Sequence, residues 1–338
     1  MLNTLTKLAL GLALPIALLA TGPAAAEIRE HELKFAAANN KGHPQVTGME
    51  KFAELVNEKS GGKIAVKLFP GGVLGGDVQT VSALQGGVVE MMVLNAGILA
   101  SNAKQFGAVD LPFLFNSGEE ADKVMDGPFG KSLNDLLPDT GLVGLAYWEL
   151  GFRNLTNNRH PVASLEDIKG LKIRTIQSPI PLELFNSLGA NAVPLPYTEL
   201  YTALETGTVD GQENPAANIL NAKFYEVQKY MTVTRHQYNP QIVIVSKKFW
   251  DGLNDEEKAV LQSAATEARD YQRKVSREAD AKAIDEIKAT GMEVIELSPE
   301  ETQKLRDAVK PLIEKFSVEI GPETVEQLFK ELAAARGQ

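Results

Sequence analysis

The sequence predicts an α/β protein of two similar lobes facing a ligand cleft. Three observations carry this. Strand and helix signals alternate, and a glycine ends each helix before the next apolar run, which is the order of βαβ units in a parallel sheet flanked by helices. Residues 82–90 (SALQGGVVE) match residues 202–210 (TALETGTVD), with Ala, Leu, Gly and Val at equal offsets and an acid in the last place. A strand precedes each copy, Lys63–Val66 and Lys172–Thr175. Finally, a helical pattern from Asn254 to Thr290 is too long for one lobe, about 55 Å at about 1.5 Å per residue.

Residues 1–26 are set apart first. Lys7 gives a positive start, Leu8–Ala20 is an apolar run too short to span a bilayer, and Ala24-Ala25-Ala26 offers the small residues a signal peptidase reads. The expectation is an exported, periplasmic chain cleaved near Ala26-Glu27. A membrane anchor is the alternative, and the charged run Glu27-Ile28-Arg29-Glu30 that follows speaks against it.

His31–Ala38 reads as the first strand. Gly48–Lys59 carries Met49, Phe52, Leu55 and Val56 at helical spacing, and Gly61-Gly62 ends it. Lys63–Phe69 is a second strand, closed by Pro70-Gly71-Gly72. Asp77 is placed to cap a helix over Val78–Leu84, and Val88–Leu94 follows as a buried strand. Asp110–Phe115 and Ser117–Val124 continue this lobe, and Leu142–Trp148 is a strand leading into the second. Asn218–Tyr230 is predicted helical, with Phe224, Val227 and Tyr230 on one side, and Gln241–Val245 is a short strand.

The long helix takes Asn254 as its cap, with Asp255, Glu256 and Glu257 at the positive end of its dipole. Leu261, Ala264, Ala268, Tyr271, Val275, Ala279 and Ala283 form its apolar stripe, and Gly291 ends it. Ser298-Pro299 starts another helix, and Glu323–Ala335 is a last one. No low-complexity linker interrupts the chain, so strands are expected to join the lobes. Lobe I would comprise residues 27–150 with about 240–279, and lobe II residues 151–239 with about 280–338.

The 34 Lys and Arg against 44 Asp and Glu give a net charge of −10, without basic runs, which argues against nucleic acid as a partner. An acidic protein that binds an anion must do so locally, with buried arginines. The absence of cysteine excludes disulfides, thiolate metal sites and a cysteine nucleophile. Neither a G-x-S-x-G elbow, a P-loop nor G-x-G-x-x-G occurs, and Gly71–Gly76 (GGVLGG) lacks the lysine and serine of a phosphate loop. His31, His43, His160 and His236 are scattered, so neither a metal nor a cofactor is expected.

The residues that suit a small anion lie between Arg153 and Asn214. Arg153 and Arg174 offer planar forks of donors for a carboxylate. Arg174 lies near the end of a strand, Tyr197 precedes a helix, and Asn214 closes the polar run Gln212-Glu213-Asn214-Pro215. Any one alone reads as a solvated strand end or a turn; their convergence points to a cleft. The repeat places Asn95 and Asn214 past equivalent strands, where ligands of open α/β sheets lie. Glu149 could accept a ligand hydroxyl, and His236 could line the cleft or be a satisfied structural histidine.

GFRNLTNNRHP (151–161), DIKGLKIRT (167–175), SLGANAVPLPYTELYTALETGTVDGQENP (187–215) and KFYEVQKY (223–230), with Thr234 and His236, resemble the solute-binding proteins of TRAP (tripartite ATP-independent periplasmic) transporters, the DctP-like family. FPGGVLGGD (69–77) and DLPFLF (110–115) fit as well, so the likeness covers nearly all of the chain after residue 26. It implies a two-lobed periplasmic binding protein fold, a chain that crosses between the lobes more than once, and a long helix spanning both. It also implies capture of a carboxylate-bearing solute for an ion-gradient-driven transporter with a small and a large membrane subunit, by a monomeric receptor that is not an enzyme. Carried onto this sequence, it makes Arg174 the carboxylate anchor, completed by Arg153 and Asn214, with Tyr197 packing on the solute. Asp77, Asn95, Glu149 and Gln241 match positions that contact the rest of the ligand. Glu149, His160 and Tyr197 depart from residues frequent in the family and bear on which solute is taken. A sugar acid such as a uronate or aldonate, or a C4-dicarboxylate, are the candidates. The hydroxyl-binding residues and the lack of a second cationic clamp favour a hydroxylated monocarboxylate. An exported enzyme acting on a small carboxylate, or a receptor for a signalling protein, are the alternatives.

Overall fold

The structure, a computed structural model, describes residues 27–338. The expected signal peptide, residues 1–26, lies outside the described residues. The chain begins β1 (His31–Ala37), α1 (Pro44–Lys59), β2 (Ile64–Phe69), α2 (Asp77–Gly86) and β3 (Met91–Asn95). β1 pairs in parallel with both β2 and β3. Helices α3 (Gly118–Met125) and α4 (Pro128–Asn134) lead to the long strand β4 (Leu142–Asn157). The next unit is β5 (Lys172–Thr175), α5 (Pro179–Ser187), β6 (Asn191–Pro194), α6 (Leu200–Glu205), β7 (Gly211–Pro215) and α7 (Ala216–Asn221). There β5 pairs in parallel with both β6 and β7.

The two units thus repeat one topology, a middle strand, an outer strand, then an inner strand. The structural counterpart of β2 is β6. The sequence match pointed instead to Lys172–Thr175, because the four half-exposed residues of β6 carry almost no strand signal.

β8 (Tyr230–Ser246), α8 (Lys247–Asp251), α9 (Asp255–Ala289), β9 (Glu293–Glu296), α10 (Pro299–Ala308), α11 (Lys310–Ile320) and α12 (Pro322–Ala335) complete the chain. All strands join one sheet in the order β2-β1-β3-β8-β4-β7-β5-β6, with β9 beside β8. β4 and β8 run antiparallel through its centre, and register shifts interrupt them at Gly144/Ala146, Glu149/Gly151 and Arg153/Leu155. Both strands are much longer than expected. Pro240 sits in mid-β8 opposite Glu149, at the second of these shifts, where a missing N–H costs no ladder bond. The residues before Pro240 are mostly polar and a proline argues against a central strand, which is why only Gln241–Val245 reads as a strand from the sequence. The helix predicted over Asn218–Tyr230 is also replaced: α7 ends at Asn221, one 3₁₀ turn follows at Phe224–Glu226, and Tyr230 already opens β8.

α9 starts as expected, with Asn254 and Glu257 forming a reciprocal capping box. Val260, Leu261, Ala264, Ala265 and Ala268 pack into a core with Phe35, Phe52 and Trp148 of the first lobe. Ala283 and Ile287 pack into a second core with Leu200, Leu204 and Phe224. Between them the expected apolar stripe fails: Tyr271 is exposed, and Gln272, Arg273 and Ser276 are buried instead. The reason is the irregular backbone of β4. Gln272 accepts from the N–H of Glu149 at 2.9 Å and donates to its carbonyl at 2.7 Å, filling the place of an interrupted ladder. Helix α9 comes so close here that a Cβ on Gly48 of α1 would stand 2.6 Å from Cγ of Gln272. The last segment touches both halves, because α12 lies against α3 and α4 while α11 reaches α5. Among the described residues no helix is long and apolar enough to cross a membrane.

Candidate functional site

The carboxyl ends of both sets of parallel strands face one polar cavity between them. Asn95, the last residue of β3, enters it from one side, in register with Gln241 of β8. Arg174 of β5 and Asn214 of β7 enter from the other, with Tyr197 from the turn before α6. Asp77 also lines it. Asp77 is the first residue of α2 and not its cap, since Gly76 occupies the cap position, and this turns its carboxylate to the cavity.

Arg174 is buried, and its Nε and Nη2 both donate to the carbonyl of Leu195, at 2.9 and 2.7 Å. Among the described residues its Nη1 has no hydrogen-bond partner, and neither do Asn95 Oδ1, Tyr197 OH and Gln241 Oε1. Four buried polar atoms thus converge unsatisfied on one space. Buried polar groups are otherwise nearly always paired, so this set has the chemistry of a ligand's missing partners. Burial holds the Arg174 guanidinium down to about 10, against the pull of Glu213. Burial pushes the Asp77 carboxyl up to about 6, opposed by the charge of Arg174, and the Tyr197 hydroxyl up to about 12. Among the described residues, Arg174 and Asp77 are the only charged ones lining the cavity.

Two expected ligand residues do not line it. The guanidinium of Arg153 is consumed by Glu213: Nε pairs with Oε2, and Nη2 donates to Oε1 at 2.9 Å and to the Glu213 carbonyl at 2.6 Å. Nη1 of Arg153 reaches Asn239 at 3.3 Å. His236 closes the group, its Nδ1 2.7 Å from Thr234 Oγ1 and its Nε2 3.4 Å from Glu213. Burial alone would raise the Glu213 carboxyl, but the charge of Arg153 overrides it and holds the group down to about 2. Arg153 therefore backs the wall behind Arg174 as half of a buried ion pair. Glu149 faces α9, where its Oε2 accepts from Arg277 Nε at 2.8 Å and Nη2 at 2.7 Å, and from the Tyr238 hydroxyl at 3.1 Å. Its strand is bulged at this point, and the bulge aims the side chain away from the cleft.

Asn39, Gln45, Gln177 and Asn218 line the cavity without having been singled out from the sequence. The strand-end rule that found Asn95 also applies to Asn39, two residues beyond β1. For Asn218 no local signal exists. Among the described residues, no group of three or more His, Asp or Glu side chains is placed to hold a metal ion.

Two α/β units that close over a polar cavity, with one donor of a buried guanidinium left unpaired and amides, a phenol and one acid around it, define a two-lobed binding protein for an anionic solute. The chain matches the model of one family over residues 35–319, and it belongs to that family: bacterial extracellular solute-binding protein, family 7, also called DctP. Over 263 residues it is 41% identical to the 2,3-diketo-L-gulonate-binding periplasmic protein YiaO of Escherichia coli K12, covering 78% of this chain and 80% of that one. Among solved structures, the sugar acid binding protein DctPAm of Advenella mimigardefordensis, in complex with galactonate, is 44% identical, with a TM-score of 0.90 over 91% of this chain and 99% of that one. A TRAP periplasmic solute binding protein of Ochrobactrum anthropi, with its C-terminus bound in the ligand-binding pocket, is 80% identical, with a TM-score of 0.81 over 91% of this chain and 97% of that one.

Proposed function

We propose that this chain is an exported, monomeric receptor that captures a sugar acid, a hydroxylated monocarboxylate of the aldonate or uronate kind, and hands it to the small and large membrane subunits of a TRAP transporter. The observation that carries this reading is the single unpaired donor of Arg174 in a cavity whose other polar walls are amides, a phenol and one acid. A solute carboxylate would take Nη1 of Arg174, and hydroxyls would bridge Asp77, Asn95 and Gln241. A dicarboxylate would bring a second anion to a space whose only other charged group, among the described residues, is Asp77, which supports the monocarboxylate. The galactonate bound by DctPAm and the diketogulonate in the name of YiaO are of the same chemical class.

Leaving a buried donor unpaired costs about 1–3 kcal/mol, more for a charged group. The closed state therefore favours the loaded protein, and the solute shifts the lobes towards closure by its differential affinity. Export rests on residues 1–26, with cleavage near Ala26-Glu27. A thermal-shift screen of organic acids tests the reading, because a bound ligand raises stability by mass action. Galactonate and galacturonate are expected to raise the melting temperature, and a response confined to succinate and malate would overturn the monocarboxylate. Recovery of the acid unchanged and in stoichiometric amount distinguishes a receptor from an enzyme.

A further inference from the structure

We infer that Asn218 is a latch between the lobes, which sets how tightly any solute is held without choosing among solutes. This deepens the functional reading above and rests on it. Asn218 lies on α7, where its neighbours Ala217 and Ile219 belong to the core of the second lobe. Its amide is bonded on both sides to the first lobe. Oδ1 accepts from Nε2 of His43 at 3.1 Å, and Nδ2 donates to Oδ1 of Asn39 at 3.0 Å. The direction of these bonds is determined. The backbone N–H of Gln45 donates to Nδ1 of His43 at 3.0 Å, so the ring proton sits on Nε2 and points at Asn218. Asn39 passes the chain on, its Nδ2 donating to Oε1 of Gln45 at 2.8 Å.

All four side chains are buried, and burial holds His43 down to about 4, so the ring stays neutral and in this tautomer at ordinary pH. Close approach surrounds the latch. A Cβ on Gly72 of the first lobe would lie 2.2 Å from Cγ2 of Thr198 of the second, and Nδ2 of Asn221 reaches the carbonyl of Lys41 at 3.5 Å. Asn39, Gln45 and Asn218 also line the cavity, but every bond of the latch joins two protein atoms. Its contribution to the closed state is therefore the same whichever acid lies in the cavity, and it shifts every affinity by one factor.

The test is the dissociation constants of galactonate, galacturonate and succinate for the wild-type chain, Asn218→Ala and Asn218→Ser. Serine keeps a small polar side chain but cannot reach both partners. Both variants are expected to weaken every acid that binds by a common factor of about 10 to 30, with the rank order unchanged. Loss confined to one acid would make Asn218 a ligand contact, and unchanged constants would remove the latch; either overturns the inference. Failure of all three acids to bind the wild-type chain would sink the functional reading alone. The latch is then read from spin labels at Val73→Cys and Glu205→Cys, exposed sites on opposite lobes of a chain with no other cysteine. The short-distance population of the unliganded protein is expected to fall in both Asn218 variants, and an unchanged population would overturn the latch.

Discussion

The guanidinium of Arg174 is held by a single carbonyl, that of Leu195, through two hydrogen bonds of 2.9 and 2.7 Å, so one face of the fork is occupied and the other, Nη1, is presented to the cavity. Arg174→Ala should weaken a monocarboxylate by about 2–5 kcal/mol, the loss expected when one partner of a buried charge pair is truncated. Arg174→Lys should fall between, because one ammonium cannot serve both Leu195 and the solute as a planar fork does. Calorimetry with galactonate measures both, and wild-type affinity in Arg174→Ala would remove the anchor.

Glu213 and Arg153 are predicted to act on folding. Glu213→Gln leaves a buried guanidinium without its counter-ion and should cost about 3–5 kcal/mol at neutral pH. The sign with pH follows from the depressed carboxyl, at about 2 against an ordinary 4.5. Such a group contributes stability that is fully present above pH 4.5 and lost as the pH falls through 4.5 to 2. Urea unfolding should show that loss in the wild-type chain and a flatter profile over this window in Glu213→Gln.

Glu149→Gln separates the expected ligand contact from the observed ion pair. Arg277 is 30% exposed, so the pair is partly screened, and the substitution should cost about 1 kcal/mol of stability. Solute affinity should not change. Melting curves and calorimetry on the same sample check both halves of this prediction.

Asp77 should make binding depend on pH. Its carboxyl is pushed up to about 6 by burial, so in the empty protein it withdraws stability as the pH rises from about 4 to about 6, the reverse of Glu213. Asp77→Asn should remove that slope. Hydroxyls of a sugar acid donate best to the ionised form, so galactonate should bind more tightly as the pH rises through about 6. Asp77→Asn should flatten this rise, and succinate, which has no hydroxyl, should not show it.

Much of this was readable in the residues. The βαβ order, the caps at Asn254 and Ser298, and the strand ends at Asn95 and Asn214 follow from local rules, and the structure brings both of those amides to one cavity. What was not readable is non-local. Whether Arg153 faces a solute or Glu213 depends on β4 lying beside β7, and no spacing along the chain encodes that pairing. The direction of Glu149 depends on a bulge opposite Pro240, and the polar middle of α9 on the same irregularity. Asn218 gains its role from contacts to Asn39 and His43, 179 and 175 residues away.

The chain passes between the lobes along β4, returns along β8, and leaves again along α9, so neither lobe is a continuous stretch of sequence. A single genetic crossover therefore cannot exchange one lobe for that of a relative, as it can in proteins whose domains are strung end to end. New solute preferences in this architecture have to arise by substitution at the cavity wall. Half-molecules expressed separately would each carry cut strands in the middle of the sheet, which makes them poor reagents for mapping the site.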